Sequence, residues 1–92
     1  MGNSNALYLG INVYRRLRSD EAAVYRCFKK LPDGGYCVQS ADRVRLPFKD
    51  ENSRFQKEQF WELLIEEAPD ARSRPFPTIE EAIADFDAAF EE

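Results

Sequence analysis

The feature that most constrains the fold is the turn signal Leu31-Pro32-Asp33-Gly34-Gly35. Proline presets the backbone for the first central position of a type I turn, Asp suits the second position, and Gly34 suits the positive φ of a G1 bulge. We therefore predict a β-hairpin whose loop is Pro32, Asp33 and Gly34. The resulting register pairs Lys30 with Tyr36, Phe28 with Val38, and Arg26 with Ser40.

Alternating apolar residues predict the strands around this hairpin. In residues 7–14 every second side chain is apolar, a period typical of a half-buried strand. A second strand is predicted over 23–31, and a short fourth strand over 43–46, ended by Pro47. Val24, Phe28, Tyr36 and Val38 are expected to continue the apolar face of the first strand, which consists of Leu7, Leu9, Ile11 and Val13.

Two helices are predicted in the second half of the chain. Ser53 with Gln56 forms a candidate capping box before an apolar stripe that contains the pairs Phe60–Leu64 and Trp61–Ile65. Pro69 and the segment 72–77 predict a stiff, extended linker. Thr78 with Glu81 forms a second capping box. The helix that follows carries apolar residues at helical spacing: Ile79, Ile83, Phe86 and Phe90.

This order of elements predicts one α+β domain over residues 1–92. A three- to four-stranded antiparallel meander is followed by two helices packed on one face, the face of Leu7, Leu9, Ile11, Val13, Phe28 and Val38. Residues 1–5 are expected to be flexible. The expected divisions are a sheet half over 5–47, a first helix over 53–68, a linker over 69–77 and a second helix over 78–91.

Composition removes several classes of function. The chain has no His, which excludes Ser-His-Asp and Cys-His catalysis, and its two Cys cannot supply the ligands of a structural zinc site. We expect no enzymatic activity, no catalytic residue, no cofactor and no metal. The sequence shows neither a secretory signal nor a stretch of about 20 apolar residues that could span a membrane. We therefore expect a protein of the bacterial cytoplasm that does not bind membranes.

The net charge of −4 hides two oppositely charged halves. Residues 1–49 carry +5 and residues 50–92 carry −9. This asymmetry has two interpretations, either two separate binding surfaces or two halves that attract each other on folding; we favour the second, because a domain this small cannot keep its halves far apart.

Two surfaces are candidate interaction sites. The sheet face opposite the helices is expected to combine aromatic and basic side chains: Tyr8, Tyr14, Tyr25, Arg26, Lys29, Arg43 and Arg45. The helices are expected to present carboxylates: Glu58, Glu62, Glu66, Glu80, Glu81, Asp85 and Asp87.

We expect these surfaces to serve a non-enzymatic protein-interaction or regulatory module, with a protein partner that the sequence does not identify. Two alternatives stay open. The basic and aromatic face could bind single-stranded nucleic acid by stacking and phosphate contacts, or the acidic helices could mimic nucleic acid on the basic groove of another protein.

Two further hypotheses concern single elements. The first strand could be an exposed sheet edge that pairs with a second copy of the chain to form a homodimer. Cys27 and Cys37 are expected to lie on one sheet face as diagonal neighbours, which is poor geometry for a disulfide. We interpret them as reduced, half-buried apolar residues.

Overall fold

The computed structural model describes residues 6–47 and 50–90 and shows three antiparallel strands followed by helices, which confirms the α+β class. The strand order in the sheet is β1-β2-β3. The elements are β1 (Tyr8–Arg18), β2 (Glu21–Lys30), β3 (Tyr36–Arg45), α1 (Asp50–Glu66), α2 (Pro69–Arg72) and α3 (Ile79–Phe90). The predicted flexibility of residues 1–5 lies outside the described residues. None of the described helices is long and apolar enough to cross a membrane.

The first hairpin is longer than the alternation in the sequence suggests. β1 pairs with β2 from Tyr8 opposite Lys30 to Arg16 opposite Ala22, and a bulge follows before Arg18. The polar residues at the end of β1 can continue the strand because β1 lies at the sheet edge, where their side chains remain in solvent.

The second hairpin has a different register from the predicted one. Tyr36 lies opposite Lys29 instead of Lys30, and Phe28 lies opposite Cys37 instead of Val38. The physical reason is a longer loop, residues 31–35, in which the Gly34 N–H donates to the Lys30 carbonyl at 2.7 Å. None of the described glycines has a positive φ, so the predicted G1 geometry is wrong.

A bulge in β3 then restores the predicted pairing further from the turn. Arg26 lies opposite Ser40 as predicted, whereas the next residue, Cys27, lies opposite Val38, which leaves Gln39 as the extra residue. Cys27 and Cys37 consequently belong to different faces, because Cys37 is paired with Phe28. Their predicted placement on one face is wrong.

The predicted fourth strand does not form separately. Residues 43–45 continue β3, with Arg43 opposite Ala23 and Arg45 opposite Glu21. Only Ala41 and Asp42 lie between Ser40 and Arg43, and neither is a Gly or a Pro that would end the strand.

The two faces of the sheet are covered by different helices. β1 places Ile11 opposite Cys27 and Val13 opposite Tyr25, so these apolar residues share a face with Tyr25 and not with Phe28. Phe60 of α1 stacks on Phe28 at 5.8 Å between ring centroids, and α3 covers the opposite face, that of Tyr25. The prediction that both helices pack on one face is therefore wrong. We call these the α1 face and the α3 face.

α1 begins at Asp50, so Ser53 lies inside the helix and not at the predicted cap. Only part of the predicted apolar stripe is covered by the sheet. Phe60 is half-buried, whereas Trp61 and Ile65 are 54% and 77% exposed. Successive helical residues lie about 100° apart around the axis, so Trp61 does not pack flat on the sheet where Phe60 does, but lies to one side toward β1.

α3 closes the main core as the sequence predicts. The Glu81 N–H donates to Thr78 Oγ1 at 3.2 Å, which confirms Thr78 as the residue that caps this helix. Ala82 and Ile83 are buried against the sheet, and partly buried apolar residues surround them. The buried core cluster is Ala23, Tyr25, Cys27, Val38, Ala82 and Ile83.

The predicted extended linker contains the short helix α2 and an additional β-bridge. Tyr36 and Phe76 exchange two backbone hydrogen bonds of 2.7 and 2.8 Å, so Phe76 lies along the outer edge of β3. Ser73 Oγ also donates to the Val38 carbonyl at 2.6 Å. This segment therefore protects part of one sheet edge, while β1 forms the other edge.

Candidate functional site

The predicted basic and aromatic face is divided between the two sides of the sheet. Side chains alternate along a strand, so the predicted residues cannot all share one side. Tyr8, Tyr14 and Arg26 lie on the α1 face, and Tyr25, Lys29, Arg43 and Arg45 lie on the α3 face.

The predicted acidic surface is divided as well. Glu58, Glu62 and Glu66 are exposed on α1, whereas Glu80, Glu81, Asp85 and Asp87 belong to α3 on the other side of the sheet. Asp87 is part of an internal network. It accepts hydrogen bonds from the Tyr25 hydroxyl at 2.9 Å and from Arg15 at 3.1 Å.

Four arginines on the α3 face gather at the end of the sheet away from the Pro32 turn. Three of them surround one carboxylate, that of Glu21, which is only 7% exposed. The distances to Glu21 oxygens are 3.6 Å from Arg18, 3.8 Å from Arg43 and 3.5 Å from Arg45. We call Arg15, Arg18, Arg43 and Arg45 the arginine cluster.

Arg15, Arg18 and Glu21 were not among the predicted site residues, although the sequence carries a signal for them. In an antiparallel meander the first and third strands run in the same direction, so their carboxyl ends meet at one end of the sheet. The segment Arg15-Arg16-Leu17-Arg18 ends β1, and Arg43-Val44-Arg45 ends β3. Reading the two segments together would have predicted the cluster.

An open cleft of about 290 Å³ lies between the arginine cluster and α3. Arg15 and Arg43, which line it, have largely exposed side chains. Its apolar lining comes from both the sheet and the helix: Leu17, Ala23, Tyr25, Ala41, Phe86 and Phe90. The cleft thus combines apolar walls with two guanidinium groups.

Tyr25 is a fixed part of the cleft wall. Its ring packs edge-on against Phe86 at 6.2 Å, the Arg15 guanidinium lies 5.6 Å from its centroid, and the residue is 6% exposed. Burial raises the pKa of Tyr25, and the Asp87 carboxylate raises it further. The phenol therefore stays protonated and serves as a hydrogen-bond donor.

The α1 face carries a second cavity of about 300 Å³. Asn12, Arg26 and Trp61 line it together with Gln56, Lys57 and Phe60. Arg26 is held from two sides, because its Nε lies 3.1 Å from Asp42 and its guanidinium lies 5.7 Å from the Phe60 ring centroid. This cavity lies between α1 and the edge strand β1.

The cysteines show no feature of a reactive site. Both are buried and neither is in a disulfide. Burial raises the pKa of each thiol to about 11, so almost no thiolate exists at neutral pH. Within residues 6–47 and 50–90 there is also no cluster of three or more Cys, Asp or Glu that could hold a metal ion.

Comparison with models of known protein families, with curated proteins and with solved structures finds no match to this chain. The functional interpretation therefore depends on the cleft and on the arginine cluster beside it.

Proposed function

We propose that this protein is a small, non-enzymatic protein-binding domain whose partner inserts an apolar side chain, flanked by acidic residues, into the cleft beside the arginine cluster. The observation that carries the proposal is the juxtaposition of Phe86 and Phe90 with the guanidinium groups of Arg15 and Arg43 around one open cavity. Buried aromatic contacts and Arg contacts dominate the energetics of protein interfaces.

The two kinds of group in the cleft have separate roles. The apolar wall gives binding energy, because an apolar side chain that enters it leaves water. The arginines give orientation, because a guanidinium can bind a carboxylate through two parallel hydrogen bonds. Arg15 already contacts Asp87, and Arg43 already lies near Glu21, so a partner carboxylate would share or replace these contacts.

A protein partner fits this cleft better than single-stranded nucleic acid. Base stacking needs exposed aromatic faces. The Tyr25 ring is covered by Phe86 and Arg15, which leaves Phe90 as the exposed ring among those that line the cleft. The Asp87 carboxylate in the cleft and the net charge of −4 also oppose a polyanion. Tyr14 is exposed, but it lies on the α1 face, on the opposite side of the sheet from the cleft and the arginine cluster.

The nucleic-acid-mimicking alternative has less support. It needs the carboxylates to form one continuous surface, whereas those of α1 and α3 lie on opposite sides of the sheet. We place the proposed interaction in the cytoplasm, since two buried, reduced cysteines suit a reducing compartment.

Fluorescence anisotropy with synthetic labelled peptides tests the proposal. A peptide with Phe between glutamates should bind, and versions with Phe replaced by Ala or Glu replaced by Lys should not. Arg43→Ala should weaken binding about five- to tenfold, because one cation contact is lost. Lys57→Ala removes the same charge from the opposite side of the sheet and should leave the affinity unchanged.

Two results would contradict the proposal. One is that the wild-type protein does not bind the Phe and Glu peptide even at low salt, where charge attraction is strongest. The other is that Lys57→Ala weakens binding as much as Arg43→Ala does. A labelled oligonucleotide that binds the wild-type protein and loses affinity in Arg43→Ala would favour the nucleic-acid alternative.

A further inference from the structure

The outer side of β1 is a long sheet edge with apolar side chains beside it. The order β1-β2-β3 leaves β1 without a second strand neighbour in the described part of the chain. Leu9 near the start of this 11-residue strand is 49% exposed, and Tyr14 near its middle is 70% exposed. Long edges of this kind are templates for pairing with another strand.

The hydrogen bonds of β1 show which backbone groups face outward. The Leu31 N–H donates to the Leu7 carbonyl at 2.9 Å, so Leu7 directs its backbone groups toward β2. In an antiparallel pair this direction alternates from residue to residue. Gly10, Asn12 and Tyr14 therefore direct their N–H and C=O groups away from the sheet.

We propose that the chain forms a two-fold symmetric homodimer in which β1 pairs antiparallel with β1 of a second copy, centred on Val13. This register pairs residues 10–16 of the two strands, which lie before the bulge that precedes Arg18. The outward groups of Asn12 meet those of Tyr14 from the second copy, and the outward groups of Gly10 meet those of Arg16. The product is one continuous sheet made from two three-stranded sheets.

Charge distribution selects this antiparallel arrangement. All three arginines of β1 lie in its second half, at positions 15, 16 and 18. Antiparallel pairing centred on Val13 places Arg15 and Arg16 opposite Ile11 and Gly10 of the second copy, and Arg18 lies beyond the bulge at the far end, so no arginine lies directly opposite another. Parallel pairing would align like charges along the strands, which is unfavourable.

The second copy also fills a cavity of the first. Asn12 lines the cavity on the α1 face together with Phe60 and Trp61. In the proposed register, Tyr14 of the second copy lies directly opposite Asn12 and on the same face, so its exposed ring projects toward this cavity. Trp61 would then be covered by an aromatic residue, and the same contact would occur twice in the dimer.

Light scattering coupled to size exclusion tests the dimer. The wild-type protein should show twice the chain mass of 10.7 kDa, decreasing toward 10.7 kDa on dilution. Asn12→Pro should be a monomer of unchanged secondary structure, because it removes an outward N–H and no hydrogen bond to β2. Asn12→Ala keeps that N–H and should remain a dimer. A wild-type mass of 10.7 kDa at every concentration would overturn the proposal.

Single cysteine variants test the register. In Val13→Cys the two introduced thiols would face each other across a non-hydrogen-bonded pair about 4.5 Å apart between Cα atoms, close enough for a disulfide. In Ile11→Cys they would lie about 13 Å apart along the strands. Mild oxidation should therefore cross-link only Val13→Cys. Equal cross-linking of both variants, or of Ile11→Cys alone, would overturn the register centred on Val13.

Discussion

The Tyr8 side chain links the edge strand to α2 through a single carboxylate. Its hydroxyl donates a 2.7 Å hydrogen bond to Asp70, whose carboxylate also lies 3.4 Å from the Lys30 ammonium. Burial, and then this hydrogen bond, raise the pKa of Tyr8 to about 12. The same hydrogen bond is the main reason that the pKa of Asp70 lies below its ordinary value.

Tyr8→Phe should remove this hydrogen bond while keeping the ring against Phe28. We expect a loss of about 1 kcal/mol in the free energy of unfolding, measured by urea denaturation at neutral pH. The pKa of Asp70, followed by NMR of its carboxyl carbon, should rise toward its ordinary value. Tyr14→Phe is the matched control: Tyr14 is 70% exposed in the single chain, so at concentrations where the chain is a monomer its change should alter neither quantity.

The Tyr8 pKa also fixes the sign of a pH effect. The folded protein holds the phenol proton more tightly than the unfolded chain, whose ordinary Tyr pKa is 10.0. This stabilisation is complete below pH 10.0 and is lost as the pH rises toward about 12. The difference in stability between wild type and Tyr8→Phe should therefore shrink over this alkaline range; a difference that stays constant would contradict the assignment.

At the scale of elements, the sequence predicted the existence and order of the strands and helices better than their faces. The alternation in residues 7–14 predicted β1, and Thr78 predicted the start of α3, because both signals are local. The register of the second hairpin depends on a five-residue loop and on the bulge at Gln39, which are set by tertiary contacts.

The sequence of the central strand, β2, indicates that helices should cover both faces of the sheet. Residues 22–25 and 27–28 form a nearly continuous apolar run, typical of a strand that is buried on both faces. Interpreting β2 as a strand with only one apolar face led to the expectation that both helices lie on the same side. The candidate cleft was not predicted either, because it forms only where the ends of β1, β3 and α3 meet, and this depends on which face α3 covers.

The bridge between Tyr36 and Phe76 depends on the absence of a side chain at Gly35. A Cβ atom at this position would lie 2.7 Å from the Phe76 carbonyl oxygen, a backbone atom that cannot move without breaking the bridge. Gly35→Ala should therefore destabilise the protein by about 1 to 3 kcal/mol. Hydrogen exchange should show faster exchange at the Tyr36 and Phe76 amides.

Gly10→Ala gives a matched control for this variant. A Cβ at Gly10 would meet only the Phe28 ring, at 3.7 Å, which is an ordinary contact. We therefore expect no loss of stability from Gly10→Ala. If both alanine variants were equally destabilised, the close approach of Phe76 would not be the cause of the loss in Gly35→Ala.

Considered as a whole, the molecule joins its basic and acidic halves through a shared apolar core and few ion pairs. Among the described residues, Arg15–Asp87 and Lys30–Asp70 are the ion pairs that link the sheet half to the helices. The three arginines around Glu21 are instead paired within the sheet half, where one carboxylate faces three guanidinium groups. Attraction between the halves is therefore concentrated at two aspartates, each of which also accepts a hydrogen bond from a tyrosine.

Asp87 should therefore contribute far more to the free energy of unfolding than Asp85, which lies on the same helix. Asp87→Ala leaves the Tyr25 hydroxyl without its acceptor in a place where Tyr25 is 6% exposed, and we expect a cost of about 1 to 3 kcal/mol. The ion pair with the largely exposed Arg15 adds little, because water screens it.

Asp85→Ala removes the same charge from an exposed position of α3 and should change the free energy of unfolding by less than about 0.5 kcal/mol. Urea denaturation of both variants at low and high salt separates the hydrogen bond from charge attraction, since salt screens only the latter. If the cost of Asp87→Ala disappeared in high salt, the contribution of Asp87 would be charge attraction and not its hydrogen bond with Tyr25. A cost that persists shows that the Tyr25 hydrogen bond to Asp87 adds to the apolar packing that holds α3 and the wall of the cleft on the sheet.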